Sequence, residues 1–390
     1  MCKSSGNSTY DRIQGKEITP NAGPTVNCGA DIFIEADYIY WYSSQDGLDY
    51  AATGIATPPT ISNNQSSCYY GHRHGIKGKM SSGFKVAGGL DLDYDGWDTL
   101  AQFTWLHVNS SHHHDSCSCT STPVSDAGNH YTILQGNFAT EAAGIPLNTP
   151  YLYNNIANTV AGNWKLHFNV IDWELGRSFY ISPKLVLRPH MGLKGTWQKQ
   201  RYNVTYNVKG SAINIGGTST SNSNNYPGIT PTYAASDYSY ANTTEAYTIA
   251  QVQRYWGIGT RFGLDTSWMI TKCFSIFGEV AASTVFGYFK DTRQDTSNVT
   301  NATTNAALIT NYDAVSTVAR RHQVNGVLET QIGLRYDYMF CDDEYRFRIQ
   351  AGWENQLWFN QNHFIGNALV AGQGQDLGFQ GFTLNVRFDF

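Results

Sequence analysis

The chain is short of charge. Only 15% of its 390 residues are Asp, Glu, Lys or Arg, against about 25% in ordinary soluble domains, and no run of Lys and Arg is longer than Arg320-Arg321. With a net charge of −5, the basic footprint of a nucleic-acid binder is missing. Long apolar runs are missing as well: stretches such as Tyr38 to Tyr42 fall far short of the ~20 residues of a membrane-spanning helix. Helical membrane proteins are thereby excluded, but a transmembrane β-barrel is not, because its apolar and polar residues alternate and average out. No basic start with an apolar stretch follows Met1-Cys2-Lys3, which leaves a cytosolic protein or a mature exported one with an added Met. The seven cysteines make no C-x-x-C pair, against a zinc ribbon or thioredoxin-type site, and their odd number leaves at least one unpaired or intermolecular. G-x-S-x-G, P-loop, H-E-x-x-H and Rossmann fingerprints are all lacking.

Aromatics, by contrast, reach 14%, with 37 glycines that follow no collagen period, so the chain folds rather than staying disordered. Residues 1–30 are polar and rich in Ser, Asn, Gly and Pro, and read as a mobile tail. From residue 31 onward, period-two patterns take over. FIEADYIYWY (33–42) sets Ile34, Ala36, Tyr38, Tyr40 and Tyr42 against Phe33, Glu35, Asp37 and Trp41, which is strand periodicity. FKVAGGLDLDY (84–94) sets Phe84, Val86, Leu90 and Leu92 against Lys85, Asp91 and Asp93. An Asp95-Gly96 hairpin signal follows, then a partner strand with Trp97, Thr99, Ala101, Phe103 and Trp105 on one side. Seven further strands are drawn at about 163–175, 184–197, 250–268, 273–289, 321–338, 345–358 and 378–390, ten in all. In the strand from 163 the apolar phase switches between Val170 and Ile171, which predicts a bulge.

Connections alternate in length. Short turns near 95–96, 176–183, 269–272 and 339–344 separate long segments near 43–82, 108–162, 198–249, 290–320 and 359–377. If every strand reverses the chain, all short turns and both termini share one end, as in an outer-membrane barrel with short periplasmic turns and long extracellular loops. The loops are rich in Asn, Ser, Thr and Gly and are expected to be solvated. YNVTYNV (202–208) could extend the strand from 184, and YTILQGNF (131–138) could form a short strand or an inward-folded loop. Five or six apolar positions per strand match the ~9–11 tilted residues that cross a bilayer. A soluble β-sandwich also alternates, but it has no reason to sort its loops by length. The fold expected is all-β: one transmembrane antiparallel barrel over 31–390, of at least ten strands and up to about sixteen.

The polar face supplies the candidate site. Glu35, Asp37, Asp91, Asp93, Glu279, Glu329 and Asp337, with Lys85, Arg188, Lys194, Arg261, Arg335, Arg346 and Arg348, are expected to line the lumen. Both signs together predict weak ion selectivity. Lys165 and His167 are placed on the same polar face. Aromatics near strand ends, among them Trp41, Trp105, Trp197, Phe289 and Trp358, suggest interfacial girdles. HHHDSCSC (112–119) has ligand chemistry for a soft divalent metal, but adjacent histidines rarely converge on one ion, and no metal or cofactor is expected. Glu35, Asp37, Asp91 and Asp93 with His190 could in principle form an acid/base pair, yet charged lumen residues explain them without catalysis.

FIEADYIYWYSSQDGLDYA, LRPHMGLKGTWQKQRYNVTY and the closing GFTLNVRFDF resemble the major-outer-membrane-protein-like porins of Legionella and the environmental chlamydiae, from about residue 31 to the end. The last strand, with Phe382, Leu384, Val386, Phe388 and final Phe390, is similar to the C-terminal signal by which barrel proteins reach the assembly machinery. The resemblance implies a signal-peptide-directed outer-membrane barrel passing small solutes by diffusion, often drawn with about sixteen strands, and cysteines that in chlamydial relatives cross-link the envelope. The expectation is therefore a non-enzymatic, weakly selective diffusion pore in the bacterial outer membrane. Its partners would be outer-membrane lipids, the barrel-assembly machinery and small solutes, with self-association or envelope cross-links open. An adhesin acting through its long loops and a narrow-barrel hydrolase are the alternatives.

Overall fold

The computed structural model describes residues 32–55, 70–92, 96–115, 133–136, 156–157, 159–215, 238–271, 273–341, 344–365 and 374–390. The expected tail, Asp93, Asp95 and five of the cysteines (Cys2, Cys28, Cys68, Cys117 and Cys119) lie outside them. The strands are β1 (Ile32–Gln45), β2 (Asp49–Ile55), β3 (Tyr70–Gly75), β4 (Lys79–Asp91), β5 (Trp97–Asp115), β6 (Ile133–Gly136), β7 (Ile156–Ala157) and β8 (Thr159–Arg177). There follow β9 (Phe179–Ser182), β10 (Leu185–Ile215), β11 (Tyr238–Met269), β12 (Phe274–Asn301), β13 (Ala307–Phe340), β14 (Tyr345–Asn362) and β15 (Gln375–Asp389).

Ten of these close a ring, in the order β1-β4-β5-β8-β10-β11-β12-β13-β14-β15 and back to β1, every pairing antiparallel. The barrel therefore has ten strands, not sixteen. Closure satisfies every edge, which a sheet in hydrocarbon requires. The start of β1 and the C-terminal residue meet at the short-turn end, where Ile32 and Phe390 exchange backbone hydrogen bonds of 3.0 and 3.3 Å. Gly96, in the β4–β5 turn, takes a left-handed φ of +67°, which glycine adopts without strain. A second, four-stranded sheet of β3, β2, β6 and β7 comes from the β1–β4 and β5–β8 connections, so the stretch at 131–138 does contain a strand.

Outside the barrel runs a belt of exposed apolar side chains, including Val324, Leu328, Ile332 and Leu334 on β13 and Ile258, Phe262 and Leu264 on β11. Ile332 is 64% exposed, a waste of burial in water but the expected face toward lipid.

Three expectations need correcting. Segments 198–249 and 290–320 are largely strand: β10 pairs with β11 as far as Ile215 and Tyr238, and β12 with β13 as far as Thr300 and Ala307. Beyond the lipid, small polar residues suffice outside, as where Thr205 and Thr248 share a hydroxyl hydrogen bond of 3.1 Å, so the strand loses its apolar stripe but not its ladder. The switch at Val170 and Ile171 is no bulge, for β8 stays in unbroken register with β5 and β10. Burial continues on even positions from Val160 to Gly176; what changes is the filling of the interior. Lys165 and His167 accordingly point outward, and Trp41, Phe289 and Trp358, taken for girdle residues, are fully buried inside.

Candidate functional site

The interior has two storeys. Toward the short-turn end lies a cavity of about 750 Å³ lined by charged side chains. Toward the long-loop end the barrel is packed with Ile39, Trp41, Leu106, Trp164, Leu166, Phe168, Tyr202, Val204, Tyr206, Phe289, Trp358 and Phe379, joined by Leu48 and Tyr50 from the chain entering β2.

Of the residues expected to line the lumen, Asp93 lies outside the described residues, and the others all face inward. Glu35, Asp37, Lys85, Asp91, Arg188, Arg261, Glu279, Glu329, Arg335, Asp337, Arg346 and Arg348 border the cavity. Lys194 is fully buried above it, with its Nζ 2.7 Å from Asp172 and 2.8 Å from Glu329.

Ion pairs organise the cavity wall. Near the mouth, Arg348 Nε donates to Asp337 at 3.0 Å, Arg387 reaches Glu35 at 3.2 Å, and Arg346 pairs with Asp389. Along the wall, Arg188 Nη1 donates to Asp265 on the neighbouring strand at 2.7 Å and its Nε to Asp98, two strands away, at 2.9 Å. One layer deeper, Arg261 binds Glu174 at 2.9 Å and Glu279 at 3.0 Å and also contacts Glu329, while Lys85 holds Glu354 at 2.7 Å. Buried charges persist only when paired like this. Glu174, Asp98, Asp172, Glu354, Arg387 and Asp389 belong to the network too. Each falls on the inward phase of its strand, so extending the alternation would have found them. In β8 the mistaken phase hid Asp172 and Glu174.

His190 does not join Glu35, Asp37 or Asp91. Its Nδ1 lies 3.3 Å from Glu174 and its Nε2 3.5 Å from Asp265, and with Asp265 and Glu279 it brings donor atoms within 4.8 Å of one another. Gly263 leaves room for the ring, because a Cβ there would strike the imidazole. Arg188 and Arg261 already occupy oxygens of this cluster. In HHHDSCSC, His112 and His113 lie on β5, with His112 bonded to Tyr50, and Cys117 and Cys119 lie outside the described residues.

Above the cavity, on the β10–β13 side, the end of β14 and the residues just after it fold into the barrel. Gln361, Asn362, His363, Phe364 and Ile365 are all buried. Their seat combines aromatic contacts, Phe364 on Tyr202 at 5.5 Å and His363 on Phe289 at 4.6 Å between ring centroids, with side-chain amides. Gln361 donates to Gln198 at 3.0 Å, Asn325 donates to Gln361 at 3.1 Å, and Gln253 donates to the Gln361 carbonyl at 2.6 Å. The backbone N–H of His363 donates to Gln253 at 2.7 Å and that of Ile365 to Gln251 at 2.8 Å. Arg293 adds a bond of 3.0 Å to the Ile365 carbonyl and is itself neutralised by Asp295.

Two carboxyls in this upper storey titrate well above the usual carboxylate range. Burial pushes Glu245 up to about 7 against the pull of a Ser297 hydrogen bond, and burial pushes Asp291 up to about 7 against the Arg321 guanidinium.

A closed antiparallel barrel with an apolar belt, short turns at one end and, at the level of that belt, ionic groups facing inward is an outer-membrane β-barrel. Residues 25–390 match the family of the Legionella pneumophila major outer membrane protein precursor, and the chain belongs to that family. It is a protein of the bacterial outer membrane. No curated protein matches it. Among solved structures it is similar to the outer membrane protease OmpT of Escherichia coli, at 11% identity over 94% of this chain and 98% of that one, TM-score 0.33. It is also similar to a FadL homologue of Pseudomonas aeruginosa, at 8% identity over 92% and 89%, TM-score 0.25. The toluene transporter TodX of P. putida is a third, at 7% identity over 93% and 91%, TM-score 0.25. Scores this low carry no argument about function.

Proposed function

We propose that this protein is a narrow outer-membrane channel for ions and small polar solutes, closed in the state described here by its own Asn360–Ile365 segment. The observation that carries the reading is the chemistry of the seat. Gln198, Gln251, Gln253 and Asn325 hold the segment through hydrogen bonds, and amides that lose a protein partner regain one from water at little net cost. Departure of the segment would expose these amides on the β10–β13 side of the apolar packing, above a cavity that is already charged. Among the lining residues eleven carboxylates face seven cationic side chains, so the bore favours cations. Weak selectivity in the original expectation rested on mixed signs alone; the surplus sharpens it to a cation preference.

Catalysis has no part in this reading, since the one histidine among the carboxylates is hemmed by two guanidiniums. Phe382, Leu384, Val386 and Phe388 all lie on the outward phase of β15, opposite inward Thr383 and Asn385, where an assembly machinery could read them during insertion.

The test is planar-bilayer conductance of a Gln198→Cys/Gln361→Cys variant with the seven native cysteines replaced by serine. Discrete steps under reducing conditions that disappear on oxidation support the gated channel. Heat-modifiable protein that shows no steps in either state overturns it and moves the assignment to the loops, as an adhesin.

A further inference from the structure

Inside the barrel, cations other than Arg335, which bonds to Gln350, are met by carboxylates. Outside, one row of them is not. On β10 to β13, Lys199 stands directly opposite Arg254, Arg254 opposite Lys290, and Lys290 opposite Arg320. All four take the outward phase of their strands and are exposed or half-exposed. On the other side of Lys199 the row continues through His167 to His107, whose ring centroids lie 4.0 Å apart at a tilt of 56°. Arg201 and Lys165, also opposed in register and outward-facing, stand one step further from the belt.

Like charges directly opposed on neighbouring strands repel, and this row has no internal remedy. Among the described side chains, the carboxylates of β10 to β13, from Glu245 and Asp265 to Asp291 and Glu329, occupy the inward phase, and none of the four cations makes an ion pair within the described residues. Lys199 feels the crowding: desolvation and then Arg201 and Arg254 hold its ammonium below the usual lysine value, and His167 is lowered by desolvation and by Arg201, Lys199 and Lys165.

Position says what supplies the missing anions. Two residues closer to the short-turn end on the same strands stand Trp197, Trp256, Tyr288 and His322, likewise in direct register. Trp and Tyr mark the boundary between hydrocarbon and headgroups, so the next outward position falls at headgroup depth, on the side of the long loops. Cations there meet the phosphates of lipids, and two of the four are arginines able to bind a phosphate bidentately.

We infer that the row Lys199, Arg254, Lys290 and Arg320 is a binding site for the phosphorylated headgroup of an outer-leaflet glycolipid, with Trp197, Trp256 and Tyr288 packing against its acyl chains. The site is independent of whether the barrel conducts. A free phosphate in solution offers the charge but not the acyl chains, so the lipid is the ligand.

The test uses the full chain refolded into phosphatidylcholine nanodiscs containing bis-phosphorylated lipid A, the same lipid A dephosphorylated, or no lipid A, with inorganic phosphate as competitor. Lipid retained per barrel is read by native mass spectrometry. The quadruple variant Lys199→Gln/Arg254→Gln/Lys290→Gln/Arg320→Gln is expected to retain phosphorylated lipid A on the order of tenfold less well or worse, with unchanged heat-modifiability. Arg254→Gln/Lys290→Gln should fall between it and the unaltered chain, and serves alone if the quadruple variant fails to fold. Removing exposed cations elsewhere, in Lys77→Gln/Lys79→Gln/Lys184→Gln, should change nothing. Equal retention by the row variants, equal retention of dephosphorylated lipid A, or displacement by millimolar inorganic phosphate would each overturn the site.

Discussion

The two storeys of the barrel are inside-out versions of each other. In the membrane storey β10 shows Met191, Leu193 and Trp197 outward and Arg188, His190 and Lys194 inward; in the emergent storey it shows Lys199, Arg201 and Asn203 outward and Tyr202, Val204 and Tyr206 inward. β8 repeats this, with Ile171 and Trp173 outside Asp172 and Glu174, then Lys165 and His167 outside Leu166 and Phe168. The ladder runs through without interruption. What changes is the solvent: lipid rewards apolar residues on the outside and forces ionic groups inward into pairs, whereas water rewards an ordinary core. One continuous sheet therefore obeys two rules on either side of an aromatic row.

The comparison predicts where substitutions hurt. The largest effect belongs to the emergent core: Trp164→Ala removes a fully buried ring whose Nε1 donates to Gln200 at 2.9 Å, and should cost about 3–5 kcal/mol. Denaturant unfolding of the refolded barrel and protease resistance of the loop end would measure it, and an unaffected loop end would break the picture of a packed upper storey.

On the membrane storey the damaging position is outside. Ile332→Arg should cost ~2–4 kcal/mol near mid-bilayer, read as reduced folding yield in lipid vesicles. Unimpaired folding would mean that the outward phase of β13 does not face lipid.

The upper storey should also be the acid-favoured one. For Glu245 burial raises the folded-state value from 4.5 to about 7. Its contribution to stability is therefore complete below the ordinary carboxylate range and is lost as pH rises through about 7. Limited proteolysis of the loop end should accelerate between pH 5 and pH 8 while the membrane storey stays protected, and Glu245→Gln should flatten that dependence.

The smallest effect is the sharpest contrast. Asn203→Arg, on the outward phase of the emergent storey, should change stability by no more than ~0.5 kcal/mol, although the same residue at Ile332 is harmful. Equal costs at both positions would erase the boundary.

Much of the site was legible for a simple reason: Lys85, Arg188, Arg261, Glu329 and Arg348 sit among apolar alternates, and a charge on a period-two stripe has only one face to take. Legibility failed where the solvent changed. At Val170 and Ile171 the pattern looks broken because both storeys share β8, and beyond Trp197 and Tyr288 the polar outward residues look like loop although the ladder goes on. Trp41, Phe289 and Trp358 misled for a related reason, since an aromatic suits a girdle and a core equally and only the register separates them.

Local alternation and the lengths of the connections were enough to determine ten antiparallel strands, most of their inward charges and the end that carries the turns. Those properties depend on neighbours in sequence and on the two-residue period of a strand. Closure at ten, the pairing of guanidiniums with carboxylates, the end of β14 and the residues just after it folded into the barrel, and the alignment of four cations into one row were decided by the tertiary structure. They depend on register between strands far apart in the chain, and register is set by how the whole ring closes.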